Sequence, residues 1–222
     1  MSKINLFITE VDKNLSSKKE LILNAVKKAE AYVFPKLKID WDIDLVVRNP
    51  RQKYLKTKDC VSGHTYEDSL IVLNIEDDFC EFEISEVLVH ELCHAARWGK
   101  NNEWMNTLYD VLIFEGLAVK LADDFSKNNP ERQFYMETIT SRPDEENEKI
   151  FSLLEGQLQN SNYDYDYIFT GNNIDLPYWA GYSLGYYLIK QYLKKSDKTI
   201  EEAFADKYAD IEITVFNPPS KH

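Results

Sequence analysis

The chain lacks an excess of basic residues. Its 222 residues include 26 lysines and arginines against 38 aspartates and glutamates, which gives a formal net charge of −12. A nucleic-acid-binding surface needs positive charge to neutralise phosphates, and so does binding to anionic lipids. The charge balance therefore argues against a nucleic-acid partner and against a membrane partner. We interpret a local acidic run at 144–148 as a solvated face or loop.

Long apolar runs and paired cysteines are also missing. No stretch approaches the roughly 20 apolar residues that span a bilayer, and the first residues show no basic region followed by an apolar one. The three cysteines, Cys60, Cys80 and Cys93, are odd in number and show no paired spacing, which is typical of a reducing compartment. These absences predict a cytoplasmic protein without a membrane span or a secretory signal.

Histidine is scarce, and its placement is informative. The chain has four histidines, and two fall in the run His90-Glu91-Leu92-Cys93-His94, within a stretch whose apolar pattern predicts a helix. Helical residues four apart share a face, one turn from each other. His90 and His94 can therefore bind one tetrahedral Zn²⁺ while Glu91 acts as a general base. Cys93 points away from this face and is interpreted as a packing residue. The run predicts a zinc-dependent peptidase.

A catalytic zinc site with two histidines needs a third protein ligand. The first helix is predicted to end at Gly99 with a left-handed cap, and a second apolar-periodic segment runs from Glu103 to Asp124. Glu115 lies inside that segment, where a buried carboxylate takes up a proton or binds a cation. We predict Glu115 as the third ligand, with Gly116 letting the two helices approach closely. The rivals are His64, Glu103, Asp110, Asp123 and Asp124.

Three segments together resemble one protein family. They are 89–98 with the histidine motif, 114–118 with Glu115, and 177–186, which reads Pro-Tyr-Trp-Ala-Gly-Tyr-Ser-Leu-Gly-Tyr. In this order they resemble the YjaZ-like family of bacterial predicted zinc-dependent proteases, over about residues 39–193. More broadly, the chain is similar to gluzincins, in which the third ligand is a glutamate on the helix after the motif. The resemblance implies one zinc ion and the same three ligands.

One position departs from the gluzincin pattern. Thermolysin-like gluzincins carry an aspartate one turn after the glutamate ligand, where it steadies a ligating histidine, and Val119 stands there in this chain. Another group must then supply the bond to that imidazole. Asp110 and Asp123 are the candidates.

The third segment carries two candidate oxyanion donors. Peptide hydrolysis passes through a tetrahedral oxyanion, and a neutral donor aimed at it lowers the barrier. Pro177 can open a helix at its first turn. On that helix Tyr182 and Tyr186 would share one face, while Gly181 and Gly185 would leave room for close packing on another. Tyr182 is the first choice for the donor and Tyr186 the second, with core packing as the alternative for both.

The remaining pattern predicts strands before the motif and helices after it. The predicted strands are Ile4–Thr9, Trp41–Val47 and Ser69–Ile75, with a helix over Ser17–Phe34. A loop holding Cys60, Gly63 and His64 is predicted before the last strand. By the resemblance, Ser69–Ile75 is the sheet edge that binds extended substrate, and a buried sheet strand is the alternative. The chain is predicted to be helical from Pro130, with a polar loop at Ser161–Asp175 and an irregular ending at Pro218-Pro219.

We therefore predict an α+β, zincin-like fold in a single domain over residues 1–222. Residues 1–125 would form a lobe with a small mixed sheet and the metal-site helices, and residues 126–222 a mainly helical lobe. The predicted function is a zinc metallopeptidase acting on a peptide or protein substrate. One alternative is a zinc-binding, peptidase-like regulatory or scaffold protein that no longer cleaves. Another is a zinc hydrolase of non-peptide amides. No sequence pattern indicates an oligomeric state.

Overall fold

The computed structural model describes residues 2–9, 13–49, 59–101, 103–171 and 174–211. The predicted irregular ending at Pro218-Pro219 lies outside the described residues. The chain divides into two compact units. The first comprises Met1–Glu103 and Leu121–Thr138, and the second comprises Trp104–Lys120 and Ile139–His222. Each unit is therefore assembled from two stretches that are separate in the sequence.

The first unit is built on a four-stranded mixed sheet. Its strands are β1 (Ile4–Ile8), β2 (Ile43–Arg48), β3 (Val61–Glu67) and β4 (Leu70–Ile75), in the order β1-β2-β4-β3. β2 pairs with β1 and with β4 in the parallel direction, whereas β3 pairs with β4 in the antiparallel direction. The three predicted strands are present with small shifts at their ends. The predicted α+β class with a small mixed sheet is confirmed.

At the β3 edge of the sheet, the structure differs from the sequence prediction in two respects. The part of the predicted loop that holds Gly63 and His64 is an edge strand, and Ser69–Ile75 contains an inner strand between β2 and β3, which was the alternative to a sheet edge. β3 exposes a histidine, a tyrosine and a glutamate, so it lacks the apolar run of an inner strand. Polar and charged side chains are typical of sheet edges. A search for apolar alternation therefore finds β4 and misses β3.

One face of this sheet is buried. Alternate side chains of β2 and β4 have no exposed surface: Ile43, Leu45, Val47, Ile71, Leu73 and Ile75. Helix α3 (Glu81–Asn101) packs against β3, β4 and helix α2 (Lys19–Leu37). The Ser85 hydroxyl donates a 3.2 Å hydrogen bond to the Ala25 carbonyl oxygen, which joins α3 to α2. A short helix α1 (Lys13–Ser17) precedes α2, so the helix predicted over Ser17–Phe34 corresponds to α2.

Helix α3 continues past its predicted end. Gly99 lies inside α3, which reaches Asn101, and no glycine in the described part of the chain has a left-handed backbone. The predicted left-handed cap at Gly99 is therefore wrong. A Cβ at this position would lie 2.7 Å from Cη2 of Trp41, whose indole N–H donates to the Asp68 carbonyl oxygen at 2.9 Å. Glycine makes room for the indole ring instead of ending the helix.

The first unit also contains a buried group of charges. Glu86 of α3 accepts a 2.9 Å hydrogen bond from the Gln133 backbone N–H, and its other oxygen lies 3.7 Å from Nε of Arg132. Arg132 also pairs with Asp123 at 2.6 Å. Burial raises the pKa of Glu86 from 4.5 to about 7, against the opposing effects of the nearby Ser126 hydroxyl, of the hydrogen bond from Gln133 and of the Arg132 charge. The Glu86 carboxyl therefore titrates near neutral pH.

We expect Glu86→Gln to gain stability relative to the wild type as pH rises. A carboxyl whose pKa is raised from 4.5 to about 7 by folding stabilises the fold fully below pH 4.5. That contribution is lost as pH rises through 7. Glutamine does not ionise, so its free energy of unfolding relative to the wild type should rise by about 2 kcal/mol between about pH 5 and pH 8. Urea unfolding at both pH values measures the difference.

Glu137→Gln is the matched control for this experiment. It removes an exposed carboxylate that lies 4.0 Å from the same arginine, Arg132, and should show no comparable change between the two pH values. An equal stability difference between Glu86→Gln and the wild type at both pH values would contradict the prediction.

The second unit is helical. It contains residues 108–120 of α4 (Leu108–Ser126) and the end of α5 (Phe134–Thr140), followed by α6 (Asp144–Leu154), α7 (Ala180–Ser196) and α8 (Ile200–Ala203). Their core includes Leu108, Leu112, Phe169, Leu184 and Leu188. The predicted helical character after Pro130 is present. Across the described ranges, no helix combines the length and the apolar content needed to cross a membrane.

Three details of this helical unit differ from prediction. α4 begins at Leu108 instead of Glu103. α7 begins at Ala180 instead of Pro177, because Trp179 has a left-handed backbone with φ of 58° and ends the preceding segment. The predicted polar loop at Ser161–Asp175 contains a π-helical turn over Asp166–Thr170. The first two differences move the start of a helix, the third adds a turn to a predicted loop, and none removes a predicted helix.

Helices α4 and α7 cross at a pair of glycines. A Cβ at Gly116 would lie 2.5 Å from the carbonyl carbon of Gly185, and a Cβ at Gly185 would lie 3.1 Å from the backbone nitrogen of Gly116. Room for close packing at Gly185 is therefore confirmed. Gly116 makes room for α7, where the sequence predicted room for the histidine helix. The crossing lies next to Glu115 on one helix and Tyr186 on the other.

Candidate metal centre

Helix α3 brings the two motif histidines together. Nε2 of His90 lies 3.0 Å from Nε2 of His94, and the two ring planes meet at 86° with centroids 4.6 Å apart. The residues are one helical turn apart, so backbone geometry alone produces this pairing. A tetrahedral ion with metal–nitrogen bonds of about 2.0–2.1 Å separates two ligand nitrogens by about 3.3 Å. The pair needs only a small ring movement to fit one zinc ion.

Glu115 of α4 completes a group of three. One ligand atom from each of His90, His94 and Glu115 lies within 4.8 Å of the other two. His94 and Glu115 are buried, with 6% and 8% of their surfaces exposed. Among the residues that the structure describes, this is the one group of three or more His, Cys, Asp or Glu side chains arranged in this way. Two imidazoles and a carboxylate match the donors of catalytic zinc sites.

The remaining motif residue, Glu91, contacts β3. Its Oε2 accepts a 2.7 Å hydrogen bond from the Thr65 hydroxyl, which also lies 3.0 Å from the Glu91 carbonyl oxygen. A Cβ at Gly63 would lie 2.7 Å from both Cδ and Oε1 of Glu91. The side chain is 6% exposed and follows His90 directly along α3. The edge strand therefore holds the carboxylate next to a candidate metal ligand.

Asp110, one rival for the third ligand, caps a helix. Its Oδ2 accepts hydrogen bonds from the backbone N–H groups of Asn106 and Thr107 at 2.9 and 3.0 Å. The Thr107 hydroxyl accepts a 3.2 Å hydrogen bond from the Asp110 N–H in return. This reciprocal pattern satisfies backbone donors at the start of α4. It also explains why α4 begins later than predicted.

The other rivals also have contacts of their own. His64 is exposed and packs edge-on against Tyr66, with centroids 4.5 Å apart. Strand alternation places His64 on the face of β3 opposite Gly63 and Thr65. The three remaining carboxylates form ion pairs: Glu103 with Arg97 at 3.0 Å, Asp123 with Arg132 at 2.6 Å, and Asp124 with Lys127 at 3.6 Å. Asp110 and Asp123 were also the candidates for the hydrogen bond to a ligating imidazole. Asp110 instead caps α4, and Asp123 pairs with Arg132.

The two candidate tyrosines of α7 have different surroundings. The hydroxyl of Tyr182 is hydrogen-bonded to that of Tyr165 at 2.9 Å, and its ring packs edge-on against Phe169. Tyr186 is buried, and Nζ of Lys190 lies 5.3 Å from the centroid of its ring. The shared helical face predicted for the two residues therefore leads to two environments, a partly exposed hydroxyl pair and a buried ring.

Four residues beside the predicted site were not predicted to belong to it: Gly63 and Thr65 beside Glu91, Tyr165 beside Tyr182, and Tyr163. Burial raises the pKa of Tyr163, and the charges of Asp110 and Glu115 raise it further, which places this tyrosine near the candidate carboxylate ligand. A strand assignment for 61–67 would have put Gly63 and Thr65 on one face. No comparable signal separates Tyr163 and Tyr165 from the other tyrosines, of which the chain has fourteen.

Comparison with known proteins gives one result. No curated protein and no solved structure matches the chain. A family model described as "Predicted Zn-dependent protease (DUF2268)" matches residues 13–212. The matched range includes α3, α4 and α7, and with them both histidines, Glu91 and Glu115. The family predicted from the three sequence segments is confirmed. The chain belongs to this family of predicted zinc-dependent proteases.

Proposed function

We propose that the protein is a zinc metallopeptidase of the gluzincin type that acts on peptide or protein substrates. The observation that carries this proposal is the group formed by His90, His94 and Glu115, whose ligand atoms lie within 4.8 Å of one another. Imidazole and carboxylate donors suit a single zinc ion. Glu91 adjoins the group in the sequence, and membership of a family of predicted proteases supports the same activity.

A zincin-like role for the sheet is part of the proposal. An extended peptide can add to an exposed sheet edge through main-chain hydrogen bonds. β3 forms such an edge, runs antiparallel to β4 and reaches Glu91 through Gly63 and Thr65. We therefore transfer the substrate-binding role from Ser69–Ile75 to β3.

The proposed chemistry divides between the metal ligands and Glu91. Zinc held by His90, His94 and Glu115 would lower the pKa of water to about 7 and polarise the scissile carbonyl. Glu91 takes the proton from the attacking water and then delivers it to the leaving amine.

A tyrosine hydroxyl is proposed to stabilise the oxyanion. Tyr182 stays the first candidate, because its hydroxyl is partly exposed and is paired with that of Tyr165 at 2.9 Å. Tyr186 is the second, since its ring is buried beneath Lys190. Removing one oxyanion donor typically costs about 2.7–4 kcal/mol of transition-state stabilisation. Under this proposal Tyr165 orients the Tyr182 hydroxyl.

A peptide digest with a metal control tests the proposed function. The zinc-loaded protein should cleave members of a synthetic peptide library. Cleavage should fall to background when 1,10-phenanthroline removes the metal, and one equivalent of zinc should restore it. Mass spectrometry of the products measures cleavage and shows whether the cuts are internal or terminal.

Other outcomes of the same digest would favour the alternatives. Bound zinc without cleavage of any peptide would favour the regulatory or scaffold protein. Hydrolysis of acylated amines with all peptides left intact would favour the hydrolase of non-peptide amides. Peptide cleavage that persists without metal would overturn the role given to His90, His94 and Glu115.

A further inference from the structure

We propose that β3 positions the general base, with Thr65 and Gly63 together fixing the orientation of the Glu91 carboxylate. The inference rests on the proposed function, which gives Glu91 its role in proton transfer. Thr65 acts through Glu91 and is therefore a positioning residue. It lies outside the three motif segments 89–98, 114–118 and 177–186.

The Thr65 hydroxyl has one proton and two acceptors within reach. It lies 2.7 Å from Oε2 of Glu91 and 3.0 Å from the Glu91 backbone carbonyl oxygen. A hydrogen bond to an ionised carboxylate is stronger than one to a neutral oxygen, so the shorter contact receives the proton. Thr65 is only 4% exposed, which limits competition from water. The Glu91 carboxylate, which belongs to α3, is thereby also hydrogen-bonded to β3.

Gly63 confines the same side chain. Residues two apart on a strand point to the same face, so position 63 faces Glu91 just as Thr65 does. A Cβ at position 63 would lie 2.7 Å from Cδ and Oε1 and still closer to Cγ. Strand and helix can approach this closely only because residue 63 has no side chain. Glu91 therefore lies against the backbone of Gly63 and accepts a hydrogen bond from the side chain of Thr65.

Fixing Glu91 in this way has a consequence for the reaction rate. A general base must hold its oxygen within hydrogen-bond reach of the proton that it takes. A glutamate free to rotate about its side-chain bonds would lose that freedom in the transition state, whereas a restrained one has lost it beforehand. Loss of the Thr65 hydrogen bond should therefore lower kcat while leaving KM and zinc binding intact.

The experiment compares Thr65→Val with Thr65→Ser. Valine keeps the shape and removes the hydroxyl, and we expect it to lower kcat by about tenfold to a hundredfold, the effect of losing a hydrogen bond to a charged group. KM and zinc content should match the wild type, and serine should recover most of the lost kcat. Crystal structures of the zinc-loaded proteins should show one Glu91 orientation in the wild type and several in Thr65→Val.

Controls separate this inference from a purely structural role. Thr138→Val makes the same exchange in helix α5, where the Thr138 hydroxyl donates a 2.7 Å hydrogen bond to the Phe134 carbonyl oxygen, and it should leave kcat unchanged. If Thr65→Val does not fold, Thr65→Ser and Thr65→Ala provide a second pair that differs only in the hydroxyl. A folded variant without the hydroxyl but with wild-type kcat and an ordered Glu91 would overturn this inference alone. Zinc-loaded wild-type protein that cleaves nothing would overturn the proposed function and the inference with it.

Discussion

Glu91→Gln is expected to lower kcat by about 10²–10⁴-fold, the range that a positioned general base contributes. Glutamine has nearly the shape of glutamate, so it fits the space beside Gly63, and its amide oxygen can accept the hydrogen bond from Thr65. It cannot take a proton from water. The metal ligands are other side chains, so one zinc ion should remain bound. Steady-state kinetics on a library peptide and metal analysis measure the two effects.

Glu81→Gln is the matched control for this variant. Glu81 lies in the first turn of the same helix, where it forms an ion pair with the exposed Lys28, and its replacement should leave kcat unchanged. A Glu91→Gln protein as active as the wild type would end the hydrolase mechanism. Loss of zinc from Glu91→Gln would point to a disturbed site, and the fall in kcat would then say nothing about proton transfer.

The histidine pair is predictable from sequence because its geometry is local. A four-residue spacing on a helix fixes the direction of both side chains whatever the rest of the fold does, and the 3.0 Å separation of the two Nε2 atoms follows from it. Glu115 needed a second argument, namely that a carboxylate within an apolar helix requires a partner. That argument identifies Glu115 as a candidate ligand, but the sequence alone does not show whether the Glu115 carboxylate lies near His90 and His94.

The role of β3 was not predictable, because it depends on contacts between distant parts of the chain. Thr65 and Gly63 acquire meaning only through Glu91, which lies 26 positions after Thr65. Gly99 shows the same difficulty. Glycine ends helices and also makes room for bulky neighbours, and only the position of Trp41 shows which applies. Local patterns therefore place the ligands, while tertiary packing determines what surrounds them.

The tyrosines illustrate a different limit of sequence analysis. Helical spacing places Tyr182 and Tyr186 on one face, but their environments depend on the neighbouring segment. That segment forms a π-helical turn over Asp166–Thr170, closed by a 2.6 Å hydrogen bond from the Gly171 N–H to the Asp166 carbonyl oxygen. Such turns are rare in proteins as a whole, but those that occur are often found at functional sites. A polar loop pattern does not distinguish this turn from irregular structure, so the partnership of Tyr165 with Tyr182 could not be foreseen.

Glu115→Gln is expected to weaken zinc binding by more than about 100-fold, because loss of an outer-shell partner alone costs about 10–100-fold. The amide removes the negative charge and leaves two imidazoles as the strong donors. Zinc at 100 times the wild-type Kd should stabilise the wild-type fold by about 2.7 kcal/mol, and Glu115→Gln should lose most of this gain. Competition with a chromophoric chelator measures the affinity, and urea unfolding with and without zinc measures the stabilisation.

Asp124→Asn provides the comparison on the same helix. Asp124 was a rival for the third ligand, and its ion pair with Lys127 is partly exposed, so its replacement should leave zinc affinity unchanged. Because Glu115 adjoins Gly116 at the crossing of α4 and α7, circular dichroism of the zinc-free variants must first show that the helices are intact. An intact Glu115→Gln with wild-type zinc affinity would mean that a different residue closes the site. Loss of zinc from Asp124→Asn alone would identify that residue, because the histidine pair is unchanged in both variants.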